Sequence, residues 1–225
     1  MNLYPVTIIE NFYEDPDTVR TFALNQKYQF RHQMSKDAGY VFPGGRTKDL
    51  SLINKPLFEK VCAKIISIFH NAEHDHMRWL MTTSFQYVGA EYGRGVIHTD
   101  SNTIFAAVLY LSPDVPLNSG TSLFKPNKTF IEAKYEAALQ ANDKRFAEGE
   151  IAMNTAYHSM FDEIVNVKNV YNTLILYEGR HYHAANEFFG STLKNARLAQ
   201  VFFVSKIDAQ KYNSFPLKRM QAIEI

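Results

Sequence analysis

The sequence predicts a mainly-β protein, a barrel or sandwich with flanking helices and a helical insertion. Short runs rich in Thr, Val, Phe and Tyr recur after Trp79, separated by turn-prone residues at the spacing of an all-β domain. Aromatic residues make up 14% of the chain, with 17 Phe and 13 Tyr, which suits strands packed face to face more than a helical bundle. A stretch rich in Ala, Glu, Lys and Gln breaks the strand pattern once, in the composition of helix. At 225 residues the chain is long enough to bury one substantial core without disulfides, so a single domain over 1–225 is expected.

In chain order, residues 6–9 are largely β-branched and open as a strand. Asp15-Pro16 follows as an N-cap with proline at the first helical position, and Val19, Phe22 and Ala23 fall at helical spacing. The run Phe42-Pro43-Gly44-Gly45-Arg46 interrupts regular structure with turn residues and can border a site. From Pro56 a second helix carries one apolar stripe through Leu57, Phe58, Val61, Cys62, Ile65, Ile66 and Phe69. Residues 1–80 therefore read as N-terminal support. Strands are predicted at 82–88, 95–98, 104–111 and 121–124; a helical insertion at about 126–170; and further strands at 172–177, near His183 and at 198–204, giving a barrel core over 82–204.

Composition narrows the function classes. Lys plus Arg number 24 against 23 for Asp plus Glu, a formal charge of +1, so there is no bulk field for a nucleic-acid polymer. No apolar run approaches membrane-spanning length and the N-terminus lacks the pattern of a signal peptide, from which a cytoplasmic location is expected. The single cysteine, Cys62, lies in an apolar helical pattern and reads as a buried thiol in a reducing compartment.

The residues that carry chemistry begin with His98-Thr99-Asp100. Two residues apart on an extended chain, the imidazole and the carboxylate point to one face and can start a metal site. A second histidine from a distant strand completes a set of two His and one carboxylate, which leaves open positions on Fe(II). His183 is the expected third ligand, after a strand and a turn at Gly179, and His181 is its rival at the same parity. An H-x-D pattern in a chain with eight histidines is weak alone, and Arg197 supplies context. It stands 14 residues beyond His183 at the head of an apolar strand, where an unpaired charge costs several kcal/mol and a bidentate carboxylate is the natural partner. His74-Asp75-His76 also has ligand-type residues but lies among charged residues in a connecting segment, and reads as a solvated loop.

These residues, together with Tyr87, Val108-Leu109-Tyr110-Leu111-Ser112, Gly120-Thr121, Tyr182-His183-Ala184 and Arg197-Leu198-Ala199-Gln200-Val201-Phe202-Phe203, give the sequence a resemblance to the 2-oxoglutarate- and Fe(II)-dependent oxygenase superfamily. The resemblance is greatest to its prolyl-4-hydroxylase-like branch and to related phage and bacterial proteins. It implies a double-stranded β-helix, or jelly roll, with Fe(II) held by His98, Asp100 and His183. It also implies 2-oxoglutarate held through its distal carboxylate by Arg197, with Tyr87 as a further contact. The reaction implied is oxidative decarboxylation of 2-oxoglutarate with molecular oxygen, coupled to hydroxylation of an unidentified substrate. Two departures from the family pattern are the longer gap between His183 and Arg197 and the insertion. The alternatives are a non-catalytic jelly-roll binding or structural protein, and a cupin-like metalloenzyme that takes its substrate directly on the metal.

Overall fold

A computed structural model describes residues 6–34, 42–69, 77–100, 102–151 and 153–209. The first strand is β1 (Val6–Ile9), followed by α1 (Pro16–Leu24), whose first turn is capped by the Asp15 carboxylate accepting from the Thr18 N–H at 3.0 Å. Next come β2 (Tyr28–Phe30), β3 (Gly45–Thr47), α2 (Leu50–Ile53) and α3 (Lys55–Phe69), then the long strand β4 (Met77–Val88). The second half contains β5 (Phe105–Tyr110), β6 (Thr121–Pro126), α4 (Glu132–Ala147), β7 (Phe161–Val167), β8 (Leu174–Glu178), β9 (Tyr182–Ala185) and β10 (Arg197–Ala209). Among the described residues no helix is long and apolar enough to cross a membrane.

The strands form two sheets, seven in the order β1-β8-β5-β10-β4-β3-β2 and three in the order β7-β6-β9, with antiparallel pairing throughout. Alternation along each strand sorts the side chains into layers. On β5, Phe105, Ala107 and Leu109 join Val19 and Ala23 of α1 and Val61 and Ile65 of α3 in a core on the outer face of the large sheet. Ala106 and Tyr110 point the other way, toward Leu123 and Val167 of the small sheet, with Ile175 and Tyr177 of β8 beside them. The space between the sheets is the barrel interior. The outer face of the small sheet is covered by α4, whose Tyr135, Ala138 and Phe146 pack with Phe124 and Ala184.

Two elements differ from the sequence reading. β3 occupies Gly45–Thr47 where paired glycines suggested a turn, because the missing Cβ of Gly45 admits the Tyr87 ring, 2.7 Å from where a Cβ would stand. β7 lies inside the segment read as a helical insertion. Its Asp162 and Glu163 are exposed at the edge of the small sheet, and charge of that kind is common on edge strands and masks their alternation. The stretch 95–98, expected as a strand, makes only a single bridge at His98. Cys62 is half-buried, and burial pushes its thiol up to about 11, out of the nucleophilic range.

Candidate metal centre

His98 and His183 are brought opposite one another by that bridge, in which each N–H donates to the other's carbonyl, at 3.1 Å and 2.9 Å. Such a mutually bonded pair places the two side chains on one face. His183 sits in β9, paired with Leu123 of β6, so it points into the barrel; it is only 5% exposed. Asp100 is fixed by its own N–H donating to the Gly179 carbonyl at 2.8 Å, while the Gly179 N–H donates to Ile104 at 3.0 Å. A Cβ at Gly179 would stand 2.3 Å from the Thr103 carbonyl oxygen, so only glycine lets this turn close against the loop that carries Asp100.

The side chains converge. One ligating atom from each of His98, Asp100 and His183 lies within 4.8 Å of the others. Asp100 Oδ1 is 3.6 Å from His98 Nε2, and Oδ2 is 3.4 Å from His183 Nε2. The other ring nitrogens are already committed: His98 Nδ1 lies 2.8 Å from the Val96 carbonyl oxygen and His183 Nδ1 lies 2.8 Å from that of His181. A carbonyl can only accept, so both Nδ1 atoms carry the hydrogen and, in the neutral rings, both Nε2 lone pairs face the carboxylate. This is the outer hydrogen bond by which ligating histidines are commonly oriented. Asp100 Oδ2, meanwhile, is buried and has no hydrogen-bond partner among the described residues. Three electron-rich groups facing one another around an orphaned oxygen are a donor set for a cation, and they fit a metal of the two-His, one-carboxylate type.

The electrostatics of the metal-free site differ between the two rings. Burial, and then the neighbouring His98, pull the pKa of His183 down to about 4, so its ring stays neutral. At His98 burial also opposes charge, but the hydrogen bond and charge of Asp100 outweigh it and hold the pKa above the usual histidine value. Burial pushes the Asp100 carboxyl up, and this is more than offset by His98 and His183, so it remains below the usual carboxylate range. Arg46 acts on both His98 and Asp100 through its charge. Its Nη2 donates to Gln86 Oε1 at 2.9 Å, and its guanidinium lies over the rings of Phe42 and Phe203 at 4.3 and 5.5 Å.

Arg197 begins β10 on the barrel face, 6% exposed. Nε donates to the Ser119 carbonyl at 3.0 Å and Nη2 to Thr121 Oγ1 at 3.4 Å, and the guanidinium lies over Tyr110 and Phe188. Among the described residues no carboxylate makes an ion pair with it. Burial lowers its pKa, yet arginine stays charged in proteins, so the interior holds a cation attended, among the described residues, by hydroxyls, a carbonyl and rings. Tyr177 connects this cation with the triad: its ring lies 4.7 Å from that of His183, and its hydroxyl feels both Asp100 and Arg197.

Of the residues singled out in the sequence, His98, Asp100 and His183 are brought together and Arg197 enters the same interior. Tyr87 does not. Its register partner is Leu198, the neighbour of Arg197, so it faces the outer core, edge-on to Tyr28 and Phe30. Tyr110 and Tyr177 occupy the interior instead. Tyr110, quoted above only as part of a strand that carries the resemblance, and Tyr177 have no role legible in the sequence, because an aromatic residue in an apolar strand reads as core; the signal available is a hydroxyl on the strand face shared with Arg197. His181 lies in the turn before β9 and faces Glu178, with Nε2 3.7 Å from Oε2, which separates it from the triad. His74-Asp75-His76 lies outside the described residues.

The fold is the double-stranded β-helix of 2-oxoglutarate- and Fe(II)-dependent oxygenases. The chain is similar to HygX from Streptomyces hygroscopicus with nickel and 2-oxoglutarate bound, at 10% identity and a TM-score of 0.56, over 90% of this chain and 83% of that one. It is also similar to HygX with nickel, 2-oxoglutarate and hygromycin B bound, at 12% identity and 0.54, with the same coverage. With iron-bound HygX the likeness is 10% identity and 0.51, covering 90% of this chain and 82% of that one. No curated protein matches the sequence. The model of the family described as Family of unknown function (DUF6445) matches residues 2–188, most of the chain, and the protein belongs to that family.

Proposed function

We propose that this protein is an Fe(II)- and 2-oxoglutarate-dependent dioxygenase that hydroxylates a substrate not yet identified. His98, Asp100 and His183 hold the metal, and Arg197 binds the distal carboxylate of 2-oxoglutarate. The observation that carries the reading is the pairing of two incomplete electrostatic arrangements in one interior. Two imidazoles face the carboxylate of Asp100, one oxygen of which has no hydrogen-bond partner among the described residues, and a buried arginine has no anion among them. A divalent cation completes the first, and a dicarboxylate completes the second while reaching the metal with its other end. HygX, of the same fold, has been solved with iron and with nickel and 2-oxoglutarate.

When bound, iron and 2-oxoglutarate would together activate molecular oxygen, one oxygen atom going into succinate as 2-oxoglutarate loses carbon dioxide and the other into a substrate C–H bond. The protein's part is positioning. The Nδ1 tethers of His98 and His183 fix their rings, and the turn at Gly179 fixes Asp100. Arg197, seated by Ser119, Thr121 and Tyr110, orients the co-substrate, and the Tyr177 hydroxyl feels the charges of both Arg197 and Asp100. We assign substrate recognition to the side of Arg46, whose charge reaches His98 and Asp100. Phe42, beneath its guanidinium, also lines a cavity of about 220 Å³ with Phe30, Tyr92, Glu91 and Phe146.

The test is co-substrate turnover. Purified protein supplied with Fe(II), ascorbate, oxygen and 2-oxoglutarate is expected to form succinate, slowly without substrate and faster with a substrate found by screening small molecules and peptides. Asp100→Ala is expected to form none. Succinate formation that survives Asp100→Ala refutes the assignment.

A further inference from the structure

The bridge between His98 and His183 uses the backbone groups of His98 on one side of the chain, so those of its neighbour Ile97 point the other way. Ile97 is fully buried, and a buried backbone group left without a partner is destabilising. One atom provides for both. Tyr157 Oη accepts from the Ile97 N–H at 2.8 Å and donates to the Ile97 carbonyl at 3.2 Å. Tyr157 belongs to a short helical turn, Ala156–Met160, at the end of the segment that begins with α4.

The first of these bonds leads to the metal centre. The N–H of Ile97 and the C=O of Val96 belong to one peptide group, which is planar and rigid. The carbonyl of that group is the one holding His98 Nδ1 at 2.8 Å. Tyr157 thus grips one edge of the plate whose other edge grips the ligand imidazole. The tyrosine itself is buried in the aromatic cluster of Tyr135 and Phe161, with ring centroids 5.9 and 6.4 Å away. Its hydroxyl is held by packing rather than by its own backbone.

We infer that Tyr157 is a positioning residue for the metal ligand His98, acting through the peptide joining Val96 to Ile97, and that the inserted segment is in this way a structural arm of the metal centre. This rests on the assignment of His98 as a ligand. The geometry also specifies direction: tilting the peptide changes both the aim of Nε2 and the strength of the Nδ1 hydrogen bond that makes the ring a better donor. His183 has a matching Nδ1 tether to the His181 carbonyl, and Tyr157 makes no hydrogen bond to it among the described residues.

Tyr157→Phe keeps the ring and deletes the hydroxyl. Tyr135→Phe is the control, since it removes a hydroxyl from the same cluster that makes no hydrogen bond to this peptide among the described residues. Three quantities are compared well below the unfolding temperature: Co(II) affinity, the visible spectrum of the Co(II) protein, and amide hydrogen exchange of the segment 94–100 in metal-free protein. In Tyr157→Phe the Co(II) dissociation constant is expected to rise about 10- to 100-fold, the range for loss of an outer-shell partner, with a changed cobalt spectrum and faster exchange at 94–100. Tyr135→Phe is expected to leave all three unchanged. A Tyr157→Phe protein with wild-type affinity and spectrum, or a Tyr135→Phe protein that changes equally, overturns the inference. Failure of the wild-type protein to bind Co(II) defeats the metal assignment itself. The exchange comparison then still decides whether Tyr157 holds the Ile97 peptide.

Discussion

His98 and His183 face each other across an antiparallel bridge with ring centroids 4.4 Å apart, although 85 residues separate them in sequence. Neither belongs to a strand long enough to align the other by repetition. The pair is set by one reciprocal set of backbone bonds, the Gly179 turn and the two Nδ1 tethers, so the proposed centre is preorganised by backbone more than by side-chain packing.

The sharpest consequence concerns Arg197. A buried guanidinium without an anion is expected to destabilise the ligand-free protein, so Arg197→Met should raise its melting temperature or leave it unchanged. The same substitution should weaken 2-oxoglutarate binding by about 100-fold, within the range of about 2–5 kcal/mol that truncating one member of a buried charge pair costs. Thermal unfolding with and without 2-oxoglutarate in the metal-loaded protein reads both. A ligand-induced rise in melting temperature should occur in the wild type and vanish in the variant.

Face parity separates three tyrosines that sequence alone does not. Tyr110→Phe and Tyr177→Phe each remove a hydroxyl from the interior shared with Arg197 and should lower 2-oxoglutarate affinity severalfold, on the order of 1 kcal/mol per hydrogen bond. Tyr87→Phe, on the outer face, should leave it unchanged. Co-substrate titration of the three variants is the check, and equal losses in all three would contradict the register described above.

His158 gives a pH dependence distinct from the metal centre. Its two ring nitrogens are buried without hydrogen-bond partners among the described residues, and burial, with the nearby charge of Arg94, lowers its pKa from 6.5 to about 4. The unfolded chain therefore binds a proton that the folded one refuses across that interval. Stability from this group is complete above about pH 6.5 and falls as the pH drops toward 4. His183 shifts the same way, so in the metal-free protein both contribute. His158→Gln should flatten part of the acid limb in chemical denaturation measured from pH 7 to 4, and an unchanged limb would show that the group does not act.

Much of this was legible in the sequence where one interaction dominates. Asp15-Pro16 announced α1, the stripe through Val61 and Ile65 announced α3, and the H-x-D spacing with a downstream arginine marked the interior. Legibility failed where long-range register decides. Nothing local distinguishes the face of Tyr87 from that of Tyr110, since both are aromatic residues near strand ends; pairing with Leu198 in one case and Ala199 in the other separates them. His181 and His183 were equivalent by parity until the turn at Gly179 ended and β9 began at Tyr182. β7 was hidden because an edge strand bearing Asp162 and Glu163 resembles the polar face of a helix. The clamp of Tyr157 on Ile97 joins positions 60 apart and has no sequence signal.

The central claim is that one interior binds a metal and 2-oxoglutarate together, and an anaerobic titration tests it without a substrate. Fe(II) is added to metal-free protein, then 2-oxoglutarate, while the visible absorption is followed. The account predicts a charge-transfer band that appears only with both, is absent in Asp100→Ala and needs about 100-fold more 2-oxoglutarate in Arg197→Met. Wild-type protein that binds iron but gives no band on adding 2-oxoglutarate, or binds no iron at all, would contradict it.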